Sequence, residues 1–209
     1  MVGQQHQINS VGALVTGLVR GGALVGVTVM AASVFFASGA SSLRMDAPEH
    51  DSNVFGAPLE KCDRTAAHDP NFPATGFQRT NMCTASSMDA GSHYVCVNLP
   101  AGTAGNGKPY STFWTETNQA KTPEEATTWP LAGPWCICEW AFARMLGQHP
   151  DFEKMLNCPA INEWTVENYS TKVPDQLKAL QAVCRKCDIK GQASKQSLKD
   201  KCAEALGEL

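Results

Sequence analysis

Charge is scarce in this chain. Its 209 residues carry 17 Lys and Arg against 20 Asp and Glu, for a formal net charge of -3 at pH 7. A balance this near neutral gives no chain-wide basic field for nucleic acid, and there is no acidic run of the kind that makes a disordered tail. Catalytic motifs are equally sparse. No Ser sits in a Gly-x-Ser-x-Gly elbow, no His-Glu-x-x-His is present, and no Gly-rich phosphate loop occurs. What remains is a chain with 43% hydrophobic residues, enough to bury one core of ordinary size plus a small appendage.

Residues 21–40 contain no charge at all. As a helix they would reach about 30 Å, the thickness of a bilayer's hydrocarbon core. Arg20 precedes the run, and the small residues Ser38, Gly39 and Ala40 close it. A retained transmembrane anchor and a cleaved signal both fit. Residues 1–44 are therefore expected to be a targeting signal or transmembrane segment, placing the protein in a membrane as a single-pass protein or in a lumen or outside the cell after cleavage. Residues 45–52, with Pro48, Glu49, His50 and Asp51, read as a linker.

Nine cysteines, at positions 62, 83, 96, 136, 138, 158, 184, 187 and 202, cannot all pair within one chain. At least one is free or bonded between chains. Disulfides are expected if the chain reaches an oxidising compartment, thiols or metal sites if it does not. Asn168-Tyr169-Ser170 is a glycosylation acceptor pattern that would be used only in the secretory case.

Periodicity sets the elements. Residues 92–98 alternate, His93, Val95 and Val97 against Tyr94, Cys96 and Asn98, which predicts a strand. Residues 101–109 and 118–127 read as surface loops. After Pro134, Ile137, Trp140, Ala141, Arg144 and Met145 recur at helical spacing until Gly147 and Pro150, predicting a helix of about ten residues. Phe152, Met155 and Leu156 suggest a further turn or two, and residues 160–169 an irregular strand. From Val173, Leu177, Leu180, Cys184 and Cys187 share one helical face. Ile189 and Gly191 interrupt the pattern, and Leu198, Cys202 and Leu206 form a second face with Ser194 placed to cap it. The fold class expected is α+β with short strands, a C-terminal helical hairpin over 173–209 and an N-terminal hydrophobic helix.

One set of motifs is specific when taken together. Asn53-Val54-Phe55-Gly56, Pro58-Leu59 with Cys62, Thr75-Gly76-Phe77 with Arg79, then Cys83, Asp89, Gly91, His93, Val95-Cys96 and Trp135-Cys136-Ile137-Cys138 resemble a bacterial family known as domain of unknown function 2237. The resemblance covers about residues 53–169 and implies a compact two-layer α/β sandwich, drawn here as a domain over 53–170, with no activity attached. This chain has Phe142 where the family usually carries Trp, and a Gly-rich insertion near 101–109. The C-terminal pattern of Ile189-Lys190-Gly191 and Ser194-Lys195 before Leu198 loosely resembles a SAP-type helix-turn-helix, a module associated with nucleic acid.

The residues leave several chemistries open. Cys136 and Cys138 are candidates for a thiol or metal site, with Cys62, Cys83 and Cys96 as further members, a metal being the only cofactor considered. Buried packing or structural disulfides are the plainer reading of the same cysteines. His93, four residues after Asp89, has the pattern of a base with an orienting carboxylate, although a structural His hydrogen-bonded at a sheet edge is the plainer reading. Arg79, Asp89, His93 and Trp135 are the candidate ligand contacts. Lys190, Lys195 and Lys199 are the candidate phosphate contacts, but seven basic and five acidic residues from Val173 onward leave only +2, so nucleic acid is not the expected partner. With no complete catalytic set legible, the reading is a non-catalytic binding or scaffold protein. It would have a protein partner and a membrane contact through residues 21–40. The alternative is a thiol-dependent redox or metal-binding protein centred on Cys136 and Cys138.

Overall fold

The computed structural model describes residues 51–208. The apolar segment at 21–40 lies outside the described residues; among those described, no helix is long and apolar enough to cross a membrane. In chain order the elements are β1 (Val95–Leu99), β2 (Ala101–Thr103), β3 (Pro109–Ser111), α1 (Phe113–Glu116), α2 (Pro123–Ala126), β4 (Gly133–Ile137), α3 (Glu139–Gln148), α4 (Trp164–Asn168), α5 (Pro174–Lys186), α6 (Ile189–Gln192) and α7 (Gln196–Leu206). The fold class is α+β, with helices and two small antiparallel sheets.

The strand predicted from the alternation at 92–98 is β1, which starts at Val95 and leaves His93 just outside it. β1 pairs antiparallel with β4, with Val95 opposite Ile137, Cys96 opposite Cys136 and Val97 opposite Trp135. Val95, Cys96 and Val97 are all fully buried, so both faces of the strand are covered rather than one. The covering material includes the irregular segment before β1. Its Cys62 bonds to Cys96 on β1 and its Cys83 to Cys136 on β4. The Cys136 N–H also donates to Thr75 Oγ1 at 2.8 Å. A segment with almost no regular hydrogen bonding is thus fixed by covalent straps and side-chain acceptors.

Three local expectations are corrected. The supposed surface loop at 101–109 is a hairpin, β2 paired with β3 with Ala101 opposite Ser111. The loop at 118–127 contains α2, started by Thr122, whose Oγ1 accepts the Glu125 N–H at 3.1 Å with Pro123 in the first helical position. The irregular strand at 160–169 is a short 3-10 turn followed by α4. Asn162 Oδ1 accepts the Trp164 N–H at 3.0 Å, and that Asx turn leads an extended pattern into a helix.

The helix after the Cys pair is α3, with Ala141, Phe142, Met145 and Leu146 buried and Trp140 half exposed. It packs against α5 of the C-terminal hairpin. That hairpin is joined internally by Cys184–Cys202 and to the preceding segment by Cys158–Cys187. The cysteines of its apolar face are therefore disulfide-bonded. Gly191 does not break the chain but lies inside the single turn of α6. Lys195, not Ser194, takes the N-cap position of α7; the Ser194 N–H and Oγ instead donate to Phe55 O at 2.8 and 3.1 Å.

Candidate thiol site

Eight of the nine cysteines are consumed in the four disulfides, and Cys138 alone is free. The pairing of Cys136 with Cys83 separates the Cys136/Cys138 pair considered from sequence. The sulfurs of Cys62, Cys83 and Cys96 lie within 4.8 Å of one another, a spacing that would suit a metal. They lie there as members of two adjacent disulfides, and a bonded sulfur lacks the thiolate charge a metal ligand supplies. The donor set as folded does not fit an ion.

Cys138 is the last extended residue before α3 and occupies its N-cap position. Its Sγ lies 3.2 Å from His93 Nε2. On the other side of the ring, His93 Nδ1 lies 2.7 Å from Asp89 Oδ1. Asp89 is almost fully buried, and its carboxylate also accepts the backbone N–H groups of Gly91 at 3.1 Å and His93 at 2.7 Å. This arrangement puts the imidazole proton on Nδ1, facing the carboxylate, and leaves Nε2 to accept the Cys138 S–H. Close packing enforces it: a Cβ on Gly91 would stand 2.4 Å from His93 Cε1.

The β1–β4 register explains how residues 45 apart in sequence meet. Val95 opposite Ile137 puts the residues just before β1 beside those just after β4. The Glu139 N–H closes that end by donating to Ser92 O at 3.1 Å.

Burial, reinforced by the Asp89 charge, pushes the Cys138 thiol up to about 11. The resting sulfur is therefore a neutral thiol beside the imidazole nitrogen. The adjacent Glu139 carboxyl is pushed up to about 8, by burial first and the Asp89 charge second, with the Asn168 amide opposing. The buried Tyr169 donates its hydroxyl to Glu139 O at 2.7 Å, and burial holds its phenol well above the ordinary value.

Cys138 and His93 border a cavity of about 160 Å³ walled by Phe72, Phe113, Trp114, Trp129 and Trp135. The tryptophans hold one another, Trp114 to Trp129 at 5.1 Å and Trp114 to Trp135 at 6.3 Å between ring centroids, and Trp114 Nε1 donates to Pro130 O at 2.7 Å. A second, neighbouring cavity of about 280 Å³ is lined by Phe77 and Gly76 and shares Arg79, His93, Trp135 and Cys136 with the first. A larger depression of about 610 Å³ is lined by Glu139, Trp140, Arg144 and Tyr169 but by neither Cys138 nor His93.

Arg79, Asp89, His93, Trp135 and Cys138, which the sequence offered in separate groups, thus come together. Trp135 is positioned by Arg64, whose guanidinium is 4.8 Å from its ring centroid. Arg64 pairs in turn with Asp69 at 2.6 Å and donates to the carbonyls of Phe72, Leu131 and Pro134. Neither Arg64, Asp69 nor the wall residues Trp114 and Trp129 stood out in the sequence. The remaining candidates lie elsewhere. Lys195 pairs with the buried Glu163 at 2.6 Å and Lys190 with Glu208, while Lys199 is half buried on α7. Asn168 is exposed at the end of α4, its amide 3.4 Å from the Glu139 carboxylate.

A family model described as "Uncharacterized protein conserved in bacteria (DUF2237)" matches residues 52–162, slightly more than half of the 209-residue chain. That span contains Asp89, His93 and Cys138. No curated protein matches the chain.

Proposed function

The chain belongs to this family of uncharacterised bacterial proteins, and we propose that it is a thiol-dependent enzyme of acyl transfer or hydrolysis. Cys138 is the nucleophile, His93 its proton acceptor and Asp89 the carboxylate that orients the imidazole. The observation that carries the reading is the continuous Asp89–His93–Cys138 hydrogen-bonded line, ending in the one unpaired cysteine at the edge of an aromatic-walled cavity. The binding-protein expectation rested on the lack of a catalytic set in the sequence, and this line supplies one.

The chemistry starts from the neutral Cys138 thiol. As Cys138 Sγ attacks an acyl carbon, its proton passes to His93 Nε2, the S–C bond forms and the carbonyl electron pair moves to oxygen. Developing negative charge falls at the N-terminus of α3, where the helix dipole favours it. Collapse expels the leaving group, which takes the proton from Nε2, and leaves a thioester. Water, or another acceptor, deprotonated by His93 then releases the acyl group and restores the thiol. Asp89 holds the imidazolium through Nδ1.

Delivery across a membrane is part of the proposal, supported by four disulfides in a chain with an uncharged stretch at 21–40. A second reading, thiol–disulfide exchange, has one observation behind it: Cys136, bonded to Cys83, borders the same cavity as Cys138. The test is turnover of a panel of activated esters and thioesters by wild type, Cys138→Ala, His93→Gln and Asp89→Asn. Acyl chemistry predicts loss of turnover in Cys138→Ala and a fall of about 10²–10⁴-fold in His93→Gln. Turnover that survives in Cys138→Ala, or none in wild type, would reject it, and a mixed disulfide joining Cys138 to Cys83 or Cys136 would favour exchange.

A further inference from the structure

Among the residues lining the two neighbouring cavities, Arg79 carries the only permanent charge. Its guanidinium has no hydrogen bond or ion pair among the described residues and rests 5.1 Å from the Trp135 ring centroid. Arg64 contacts the same ring and offers a useful contrast. That guanidinium is fully buried and satisfied by Asp69 and three carbonyls, so it can take no ligand. Arg79 is exposed and open at the cavity mouth.

The local chain fixes where Arg79 stands. Its N–H donates to Gly76 O at 3.0 Å, and the Asn81 N–H to Thr75 O at 3.0 Å. Gly76 has a φ of +84°, and a Cβ there would stand 2.1 Å from Met82 O, so this turn admits only glycine. Arg79 itself has a φ of +56°, a left-handed conformation that costs a non-glycine residue about 1–2 kcal/mol. A cation is thus held on a constrained turn, with an aromatic ring limiting its rotamers and no acid to neutralise it.

We infer that this site takes an acyl compound bearing an anionic group, a carboxylate or phosphate, which seats on Arg79. A ring-sized or short apolar group of the same compound fills the aromatic cavity. The inference rests on the thiol-dependent reading of Cys138. The planar fork of Arg matches two oxygens of such an anion. The size follows from the 160 Å³ of the inner cavity, since an apolar cavity of about 150 Å³ accepts a molecule the size of benzene. Because Arg79, His93, Trp135 and Cys136 line both cavities, one small molecule can meet the cation and the tryptophans while its carbonyl stands beside the thiol.

The test uses the whole chain and two readouts. Binding of phenylacetate and of its neutral isostere phenylacetamide is measured by tryptophan fluorescence for wild type, Arg79→Gln and Arg79→Lys. The expected result is at least about tenfold tighter binding of the anion by wild type, no preference in Arg79→Gln and a partial preference in Arg79→Lys. Equal affinities in wild type, a preference that survives Arg79→Gln, or no binding of phenylacetate overturns the inference. Acylation of Cys138 by 4-acetoxybenzoate and by phenyl acetate is then followed by intact mass. A ratio of anionic to neutral rate that exceeds one in wild type and falls in Arg79→Gln supports the inference. If both esters acylate at a ratio Arg79 does not affect, the inference fails and the thiol chemistry stands. If neither acylates while the phenylacetate preference depends on Arg79, the anion site stands and the thiol chemistry fails.

Discussion

His93 Nε2 lies 3.2 Å from Cys138 Sγ across 45 residues of sequence, with the imidazole's other nitrogen held by a buried carboxylate. The Cys138 thiol, pushed up to about 11 by burial and then by the Asp89 charge, is neutral at physiological pH. Alkylation by iodoacetamide, which needs the thiolate, should therefore be slow at pH 7 and rise with an inflection near pH 11. Asp89→Asn removes one cause of the raised value and should move the inflection to lower pH. A rate already at its plateau near pH 6 would indicate a thiolate–imidazolium pair instead.

Glu139 gives a stability prediction of definite sign. Its carboxyl is raised from 4.5 to about 8, so the folded state holds this proton more tightly than the unfolded state. The resulting stabilisation is complete below about pH 4.5 and is lost as pH rises through about 8. Urea midpoints for wild type should fall across that window by more than those of Glu139→Gln. Parallel curves for the two proteins would show that Glu139 is not the group responsible.

The disulfide pattern makes a mass and a stability prediction. The unreduced chain should weigh about 8 Da less than its fully reduced mass, about 2 Da per bridge, and should offer one alkylatable thiol on denaturation, in the Cys138 peptide. Cys184–Cys202 closes a separation of 18 residues. On the loop-entropy relation, its replacement by Ala at both positions should cost about 3 kcal/mol, measured by denaturant unfolding. Two or more free thiols in unreduced protein would contradict the pairing.

Arg64 and Asp69 form a buried pair whose side chains are 0% and 2% exposed. Burial alone would raise the Asp69 carboxyl. The Leu131 and Phe72 N–H groups and Arg64 more than offset this and hold it below its ordinary value. Its contribution is therefore present above about pH 3.9 and lost as pH falls through the depressed value. Asp69→Ala leaves a buried guanidinium without its counter-charge and should destabilise the fold by about 3–5 kcal/mol. A change in unfolding free energy below about 1 kcal/mol would place the pair among the weak surface bridges.

Much of the fold was legible where one periodicity dominated. The alternation around Val95 and Val97 gave β1, and the spacing of Ala141 and Met145 gave α3. Legibility failed where side chains, not periodicity, set the backbone. Thr122 caps α2 and Asn162 starts α4, one hydrogen bond each overriding a loop-like or strand-like composition. All three members of the Asp89–His93–Cys138 line stood among the sequence candidates, yet in two groups: Cys138 beside Cys136, and His93 beside Asp89. Nothing local links them, since the β1–β4 register makes the contact. The odd cysteine count required at least one cysteine outside the intrachain bridges, but only the disulfide geometry identifies it as Cys138. Arg64 was invisible because an isolated Arg in a loop has no pattern that announces burial.

The central claim is that Cys138 is a nucleophile served by His93, and covalent trapping tests it most directly. Unreduced wild type, Cys138→Ala and His93→Gln are exposed at pH 7.5 to a small activated aryl ester, and intact mass is followed from mixing. The account predicts one acyl adduct in wild type, mapped to the Cys138 peptide, none in Cys138→Ala, and formation slowed about 10²-fold or more in His93→Gln. No adduct in wild type, or one that forms equally fast without His93, would contradict it.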